Sequence, residues 1–422
     1  VKPRLKRYLK RTAIGIGVAL VAFFLWSACY TLITGRRLEA RLDALRKAGV
    51  PLSIADYAGK PIPPESNADV PLRRVASDLA SVQKELAAIF PKDHSARGPL
   101  TPDERSKLEA LFASYPRVIP GLLEAADRPG YDPGLDVSGP TTTFLNQVMT
   151  KSIAEERAAM RVLESWSTLL VAQGRRDEAL AVQTSALALC RHWARQPTMI
   201  AYLTSIACVR TAAWSASRIL LDGPVTEESR KALDAELARL NQLDDARQAL
   251  ENERAYSLSS ATEMSNNIFW IRGWIRNNMM MMFIDFYEEQ IQRLTTPYPD
   301  LPQVPAVGGY RSSWSPFKVL VTLLEPSMNA LRKSAEQQRA AVRSLRVLNA
   351  LQARGVVDDP PNLAALGLPP EALIDPITGK ALIVKKKPGG WLVYSVGANG
   401  VDDGGKLDKG EDVGFGPPEP AH

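Results

Sequence analysis

Histidine and cysteine are almost missing, three of each in 422 residues. His94, His192 and His422 stand far apart, and none has a cysteine or acid at ligand spacing, so no zinc cluster or histidine-based triad is written locally. His192 adjoins Trp193 within a helical pattern, where a packed or partly exposed ring is expected. Phosphate-cradling glycine loops, dinucleotide fingerprints and a Gly-x-Ser-x-Gly elbow are absent as well. Acid pairs such as Glu155-Glu156 and Glu288-Glu289 point to different parts of a helix surface and do not converge. The chain carries no enzymatic motif.

Basic surplus is also missing beyond the first residues. Lys2, Arg4, Lys6, Arg7, Lys10 and Arg11 account for the whole net charge of +6, since the other 46 basic residues face 46 acidic ones. A nucleic-acid footprint needs a basic face, so no nucleic-acid partner is expected. Residues 12–33 hold no charged side chain at all. At 1.5 Å per residue that run extends about 33 Å, enough to cross a hydrocarbon layer of about 30 Å as a helix. The cations before it hold residues 1–11 in the cytoplasm, and Trp26 and Tyr30 suit the far interface. A cleaved signal peptide is the rival; it would have a shorter core and a small-x-small cleavage site. The expected setting is a single-pass protein of a bacterial inner membrane with most of its mass periplasmic.

Of the three cysteines, Cys29 lies in the apolar run. Cys190 and Cys208 lie symmetrically about Met199, next to a break at Gln196-Pro197-Thr198. A helix pair turning there brings them to one level, as a disulfide in an oxidising compartment or as two buried thiols.

Residues 34–69 continue the helix, with Leu38, Leu42 and Leu45 on one stripe, and then turn into a proline-rich linker through Pro51, Pro61, Pro63 and Pro64. The linker can set a body off from the bilayer. Residues 70–334 follow a helical pattern broken at 91–102, 128–140, 196–198, 222–226 and 295–315. Thr101-Pro102-Asp103-Glu104 and Thr226-Glu227-Glu228 are helix starts. Residues 169–189 resemble one tetratricopeptide-type hairpin, with Gly174 and Ala179 at the tight points, but no second copy follows. The methionine run 279–282 belongs to a buried or oligomer-facing helix, an adaptable partner groove, or a soft-metal site. Four consecutive positions circle a helix and do not converge on a point.

After residue 355 the pattern changes. Residues 381–384 and 391–394 are β-prone and flank Lys387-Pro388-Gly389-Gly390, so they read as a hairpin. The expected class is therefore mainly α: a transmembrane helix, an irregular helical body, and a small α+β module with a β-hairpin at 335–422. Glycine and acid then alternate from Gly397 to Asp412, too densely for a core. Such a stretch is a solvated tail or a ligand cage.

Two resemblances bear on these segments. The juxtamembrane stretch LEARLDALRKAGVPLSIADYAGKPIPPESNAD resembles that of uncharacterised envelope proteins of planctomycete-like bacteria, which implies location only. The tail, with Asp375-Pro376, Gly379, the hairpin and Tyr394-Ser395-Val396-Gly397-Ala398-Asn399-Gly400, resembles the C-terminal part of type II secretion major pseudopilins. That likeness implies a calcium loop, with side-chain oxygens from Asn399, Asp402, Asp403, Asp408 and Asp412 and the carbonyl of Val396. Asn399 and Asp412 match the motif best; Asp402 and Asp403 come earlier than the family's later acids. A hard cation takes six to eight oxygens from a flexible loop, which such residues can supply. Pilus-like assembly is not expected, because no acid occurs between Thr12 and Gly35 and residues 34–334 separate anchor from module.

The expected function is a non-enzymatic scaffold for binding or assembly outside the inner membrane, linked to secretion by likeness and holding calcium, with the membrane and a protein as partners. A hydrolase whose acids converge only in the folded body is the alternative, and would show two close carboxylates in a deep pocket.

Overall fold

The first helix, α1 (Lys2–Lys47), runs unbroken from the basic residues through the apolar run and 14 residues past Ile33. The computed structural model describes residues 2–57, 62–90, 99–266, 272–301, 318–355, 361–407 and 412–418. These are mostly helical, 72% helix against 5% strand. From Tyr8 to Lys47, α1 is long and apolar enough to cross a membrane, and the body covers none of its most apolar window.

The helices that follow are α2 (Asp69–Ile89), α3 (Pro102–Ser114), α4 (Val118–Asp127), α5 (Thr141–Gln147), α6 (Ile153–Ala172), α7 (Arg176–Trp193), α8 (Met199–Asp222), α9 (Glu227–Arg239), α10 (Asp244–Asn266), α11 (Arg272–Thr295) and α12 (Lys318–Arg354). Their ends follow local chemistry. Thr101 accepts from the Glu104 amide while Glu104 reaches back to the Thr101 amide, a closed capping box that starts α3. Thr198 and Thr226 cap α8 and α9 in the same sense. Gly174 takes φ 77° just past α6, where the Arg175 amide closes back on Leu170, so the chain reverses into α7.

Two large cores share α12. Ala340, Val342, Leu345, Leu348 and Leu351 belong to the core that α2–α4, α6–α9 and the C-terminal sheet build. Met328, Leu331 and Ala335, earlier on the same helix, belong to a second core with α10, α11 and the upper part of α1. Residues 334 and 335, where the sequence suggests a module boundary, are thus consecutive residues inside one helix. Buried polar side chains tie α12 to α9. Arg346 grips both Asp234 oxygens at 2.7 and 3.0 Å, and the Asn349 carboxamide donates to the Arg230 carbonyl at 3.0 Å.

The sheet is antiparallel in the order β1 (Ile383–Lys387), β2 (Gly390–Ser395), β3 (Val413–Phe415). Lys387 pairs with Gly390 around a Pro388-Gly389 turn in which Gly389 has φ 90°. Trp391, Val393, Val413 and Phe415 close one end of the first core.

The methionine-rich α11 is buried in part by α1 itself. Leu38 and Leu42 of α1 share the second core with Met279, Met282, Phe283 and Phe286. Each such leucine contributes about 1.5–3 kcal/mol by leaving water. The described part of the proline-rich stretch also lies on the body: Ile54 is buried, its amide donates to Ser259 Oγ at 3.0 Å, and the Tyr57 hydroxyl donates to the Asn252 carbonyl.

Candidate functional site

The C-terminal loop is held at its base by Asp375, whose side chain is 2% exposed with its residue. Asp375 Oδ1 accepts from Ser395 Oγ at 2.8 Å and from the Ile377 amide at 2.9 Å, while Oδ2 accepts from Thr378 Oγ1 at 3.0 Å. The Asp-Pro turn is thereby latched to the end of β2, where Val396 is buried.

Beyond it the acids divide. Asp402 Oδ1 accepts from the Tyr394 hydroxyl at 2.8 Å and the Gly404 amide at 2.9 Å, and Lys385 lies 3.7 Å from Oδ2. The Tyr394 hydrogen bond, foremost, holds this carboxyl below its ordinary range. Asp403 Oδ2 accepts from Asn399 Nδ2 at 2.8 Å, and Asn399 Oδ1 from the Val401 amide at 3.1 Å. Asp412, only 2% exposed, accepts from the Gly405 amide at 2.8 Å through Oδ2, while its buried Oδ1 has no hydrogen-bond partner among the described residues. Burial pushes its proton affinity up, and the charges of Asp402 and Asp403 add to that. An orphaned carboxylate oxygen beside two like charges fits a cation, and Asp402 and Asp403 keep spare acceptor capacity. Among the described residues no three acid, histidine or cysteine side chains stand together as a metal cluster. Asp408 lies outside the described residues.

A second site joins residues far apart in sequence. A cavity of about 1090 Å³ opens where α1 enters the body, walled by Leu42 and Arg46 of α1, by Val50, Leu52 and Tyr57, by Tyr131 and Leu135, and by Gln196, Asn252 and Met280. Its lining mixes aromatic and aliphatic faces with neutral amides. The acids on its wall serve the backbone: Asp56 Oδ2 accepts from the Leu52 and Ser53 amides, both at 2.8 Å, and Asp132 Oδ1 from the Gly134 amide at 2.9 Å. Behind Gln196 lies a group of buried polar side chains. Gln196 donates to Glu156 Oε1, and Glu156, Gln196, His192 and Ser152 are each no more than 3% exposed. Burial pushes Glu156 well above the carboxylate range and draws His192 down to about 4.

Cys190 and Cys208 are both buried free thiols, brought together by the turn between α7 and α8. Cys190 also lies 3.9 Å from the Met160 sulfur. His192 packs near Tyr131, with ring centroids 6.4 Å apart; His94 and His422 lie outside the described residues. Sequence reasoning missed the cavity because its walls come from five separate segments, each of which reads locally as a turn or a helix face.

No family model, no curated protein and no solved structure matches the chain.

Proposed function

We propose that this chain is a membrane-tethered scaffold of the bacterial envelope, non-enzymatic, with its body outside the inner membrane and its binding site in the cavity beside the anchor. The observation that carries this is shared construction: α1, the helix read here as the tether, itself supplies Leu42 and Arg46 to the cavity wall. A helix entering the body without a break holds the cavity at a fixed height and orientation above the bilayer. Its half-apolar, half-polar lining suits a protein segment better than a small charged metabolite. The C-terminal loop would hold calcium through Asp412, Asn399, Asp402 and Asp403, with the Val396 carbonyl and Asp408 completing an oxygen shell. Bound there, the ion would neutralise the buried Asp412 carboxylate and stiffen the end of the first core.

Site-directed photo-crosslinking in native membranes tests the scaffold. A photoreactive residue at Leu135, on the cavity wall, should give one discrete protein adduct. The same group at Lys231, exposed on α9, should not. Identical patterns from the two positions would sink the proposal. A periplasm-dependent phosphatase reporter after residue 418 should be active; activity only for a cytosolic reporter would overturn the orientation.

A further inference from the structure

Where α1 and α11 meet, they run side by side in the same direction. Trp274 packs edge-on against Trp26 and Tyr30, with centroids 6.0 and 5.9 Å apart, and those two rings stack on each other at 5.3 Å. Three residues on, Asn277 Nδ2 donates to the Thr31 carbonyl and Thr34 Oγ1, both at 3.2 Å. Farther along still, Arg41 pairs with Asp285 and Glu288 at 2.9 and 2.6 Å. The backbones are tight at the lower end, where a Cβ on Gly273 would collide with the Thr31 side chain.

This register has a consequence for depth. Thr31, which Gly273 touches, lies two residues, about 3 Å, inside the Ile33 end of the charge-free run, at 1.5 Å per residue. Gly273 is at that level, and the Trp274 ring reaches from there back to Tyr30 and Trp26. If residues 12–33 cross a bilayer, the first turn of α11 is in the outer interfacial layer with them.

We infer that the start of α11 and the end of α10 form a second membrane contact, seated in the headgroup region of the leaflet that α1 leaves. The inference rests on the membrane-anchor reading. Its chemistry agrees at each point. Tryptophan and tyrosine favour the interfacial layer, and here Trp26, Tyr30 and Trp274 form one cluster. Met264, near the end of α10, is 53% exposed, one of few large apolar side chains exposed outside α1 among the described residues. No acid occurs between Glu263 and Asp285, while Arg276 on α11 and the exposed Arg36 and Arg37 on α1 carry positive charge at that level. Such cations complement lipid phosphates. A body with two contacts cannot swivel about its anchor, so its cavity keeps one face to the membrane plane.

The test uses the full chain with Cys29→Ser, reconstituted in nanodiscs of phosphatidylcholine and phosphatidylglycerol. Single cysteines at Met264 and Ile275 receive an environment-sensitive fluorophore; Ile14→Cys reports the span and Val401→Cys the outer body. Cys190 and Cys208 are buried and stay unlabelled. Lipids with a doxyl quencher near the headgroup end should quench the labels at 264 and 275 at least about twofold more than the label at 401, as for interfacial helices. Quenching at 14 with 264 and 275 no more quenched than 401 would overturn the inference and leave the anchor standing. No quenching at 14 would remove both.

Discussion

Asn277 and Thr34, 243 residues apart in sequence, meet at 3.2 Å across two helices. Asn277 is 1% exposed and Thr34 3%, so their hydrogen bond is made out of water. Thr34 Oγ1 also donates to the Tyr30 carbonyl at 2.8 Å, which leaves its lone pairs for Asn277. Asn277→Ala should destabilise the detergent-solubilised protein by about 1–2 kcal/mol, through the acceptors it leaves unpaired. A double-mutant cycle with Thr34→Val should show a coupling of about 0.5–1.5 kcal/mol in urea unfolding. Additive losses would mean that α1 is not fixed to the body through this pair.

The buried polar side chains behind Gln196 should shape the pH dependence of stability, with two opposite slopes. His192 falls to about 4 from 6.5 because burial disfavours its charged form. Its contribution is complete above 6.5 and is lost as pH falls toward 4, where the unfolded chain takes up a proton that the folded chain refuses. That contribution totals about 3 kcal/mol. Wild type should therefore gain stability relative to His192→Gln across that window, read by urea unfolding at stepped pH. Glu156 runs the other way. Burial raises it, so the folded chain keeps a proton that the unfolded chain releases, and wild type should lose stability relative to Glu156→Gln as pH climbs above the carboxylate range. Parallel pH curves for wild type and both variants would contradict the burial argument.

Much of the fold was legible because proline, glycine and capping residues act locally. Thr101 and Thr226 mark helix starts in sequence and cap them in the structure. The breaks at 128–140, 196–198 and 222–226 separate α4 from α5, α7 from α8 and α8 from α9. The stripe Leu38, Leu42, Leu45 announced a buried face, but periodicity says that a face is covered and not by what. Its cover is the methionine-rich α11, some 240 residues away, and the adaptable methionines fill the space between the helices. The loop donors were legible by type. That Tyr394 engages Asp402 while Asp412 keeps an orphan oxygen depends on how β2 and β3 bring distant residues together.

Gly414 shows how closely β3 is fitted. A Cβ there would run into the Val393 carbonyl oxygen and the Tyr394 Cα, both backbone atoms of β2 that cannot turn aside. Gly414→Ala should unpair β3 and cost about 1–3 kcal/mol, the range of overpacking. Amide hydrogen exchange should show lost protection at Val413 and Phe415, with α7 and α8 unchanged. Retained protection of β3 would mean that the strand pair can open enough to take a methyl group.

Asp412 decides whether the loop binds a cation. Helix α12 shares its core with α8 and α9, so the whole chain must be melted. A cation that binds only the folded state stabilises it by about 2.7 kcal/mol at a hundredfold excess over Kd. Millimolar calcium should therefore raise the melting temperature over that in chelator, and Asp412→Asn should abolish the difference. The pH behaviour gives a second readout. Without a cation, the raised Asp412 carboxyl holds its proton in the folded chain, so its contribution is lost as pH rises through its folded value. Calcium replaces that proton and should reverse the slope, stabilising more at pH 7.5 than at pH 5. Identical melting of wild type in calcium and in chelator at both pH values would end the metal assignment, and the loop would then be a polar cap on the sheet whose orphan oxygen takes water.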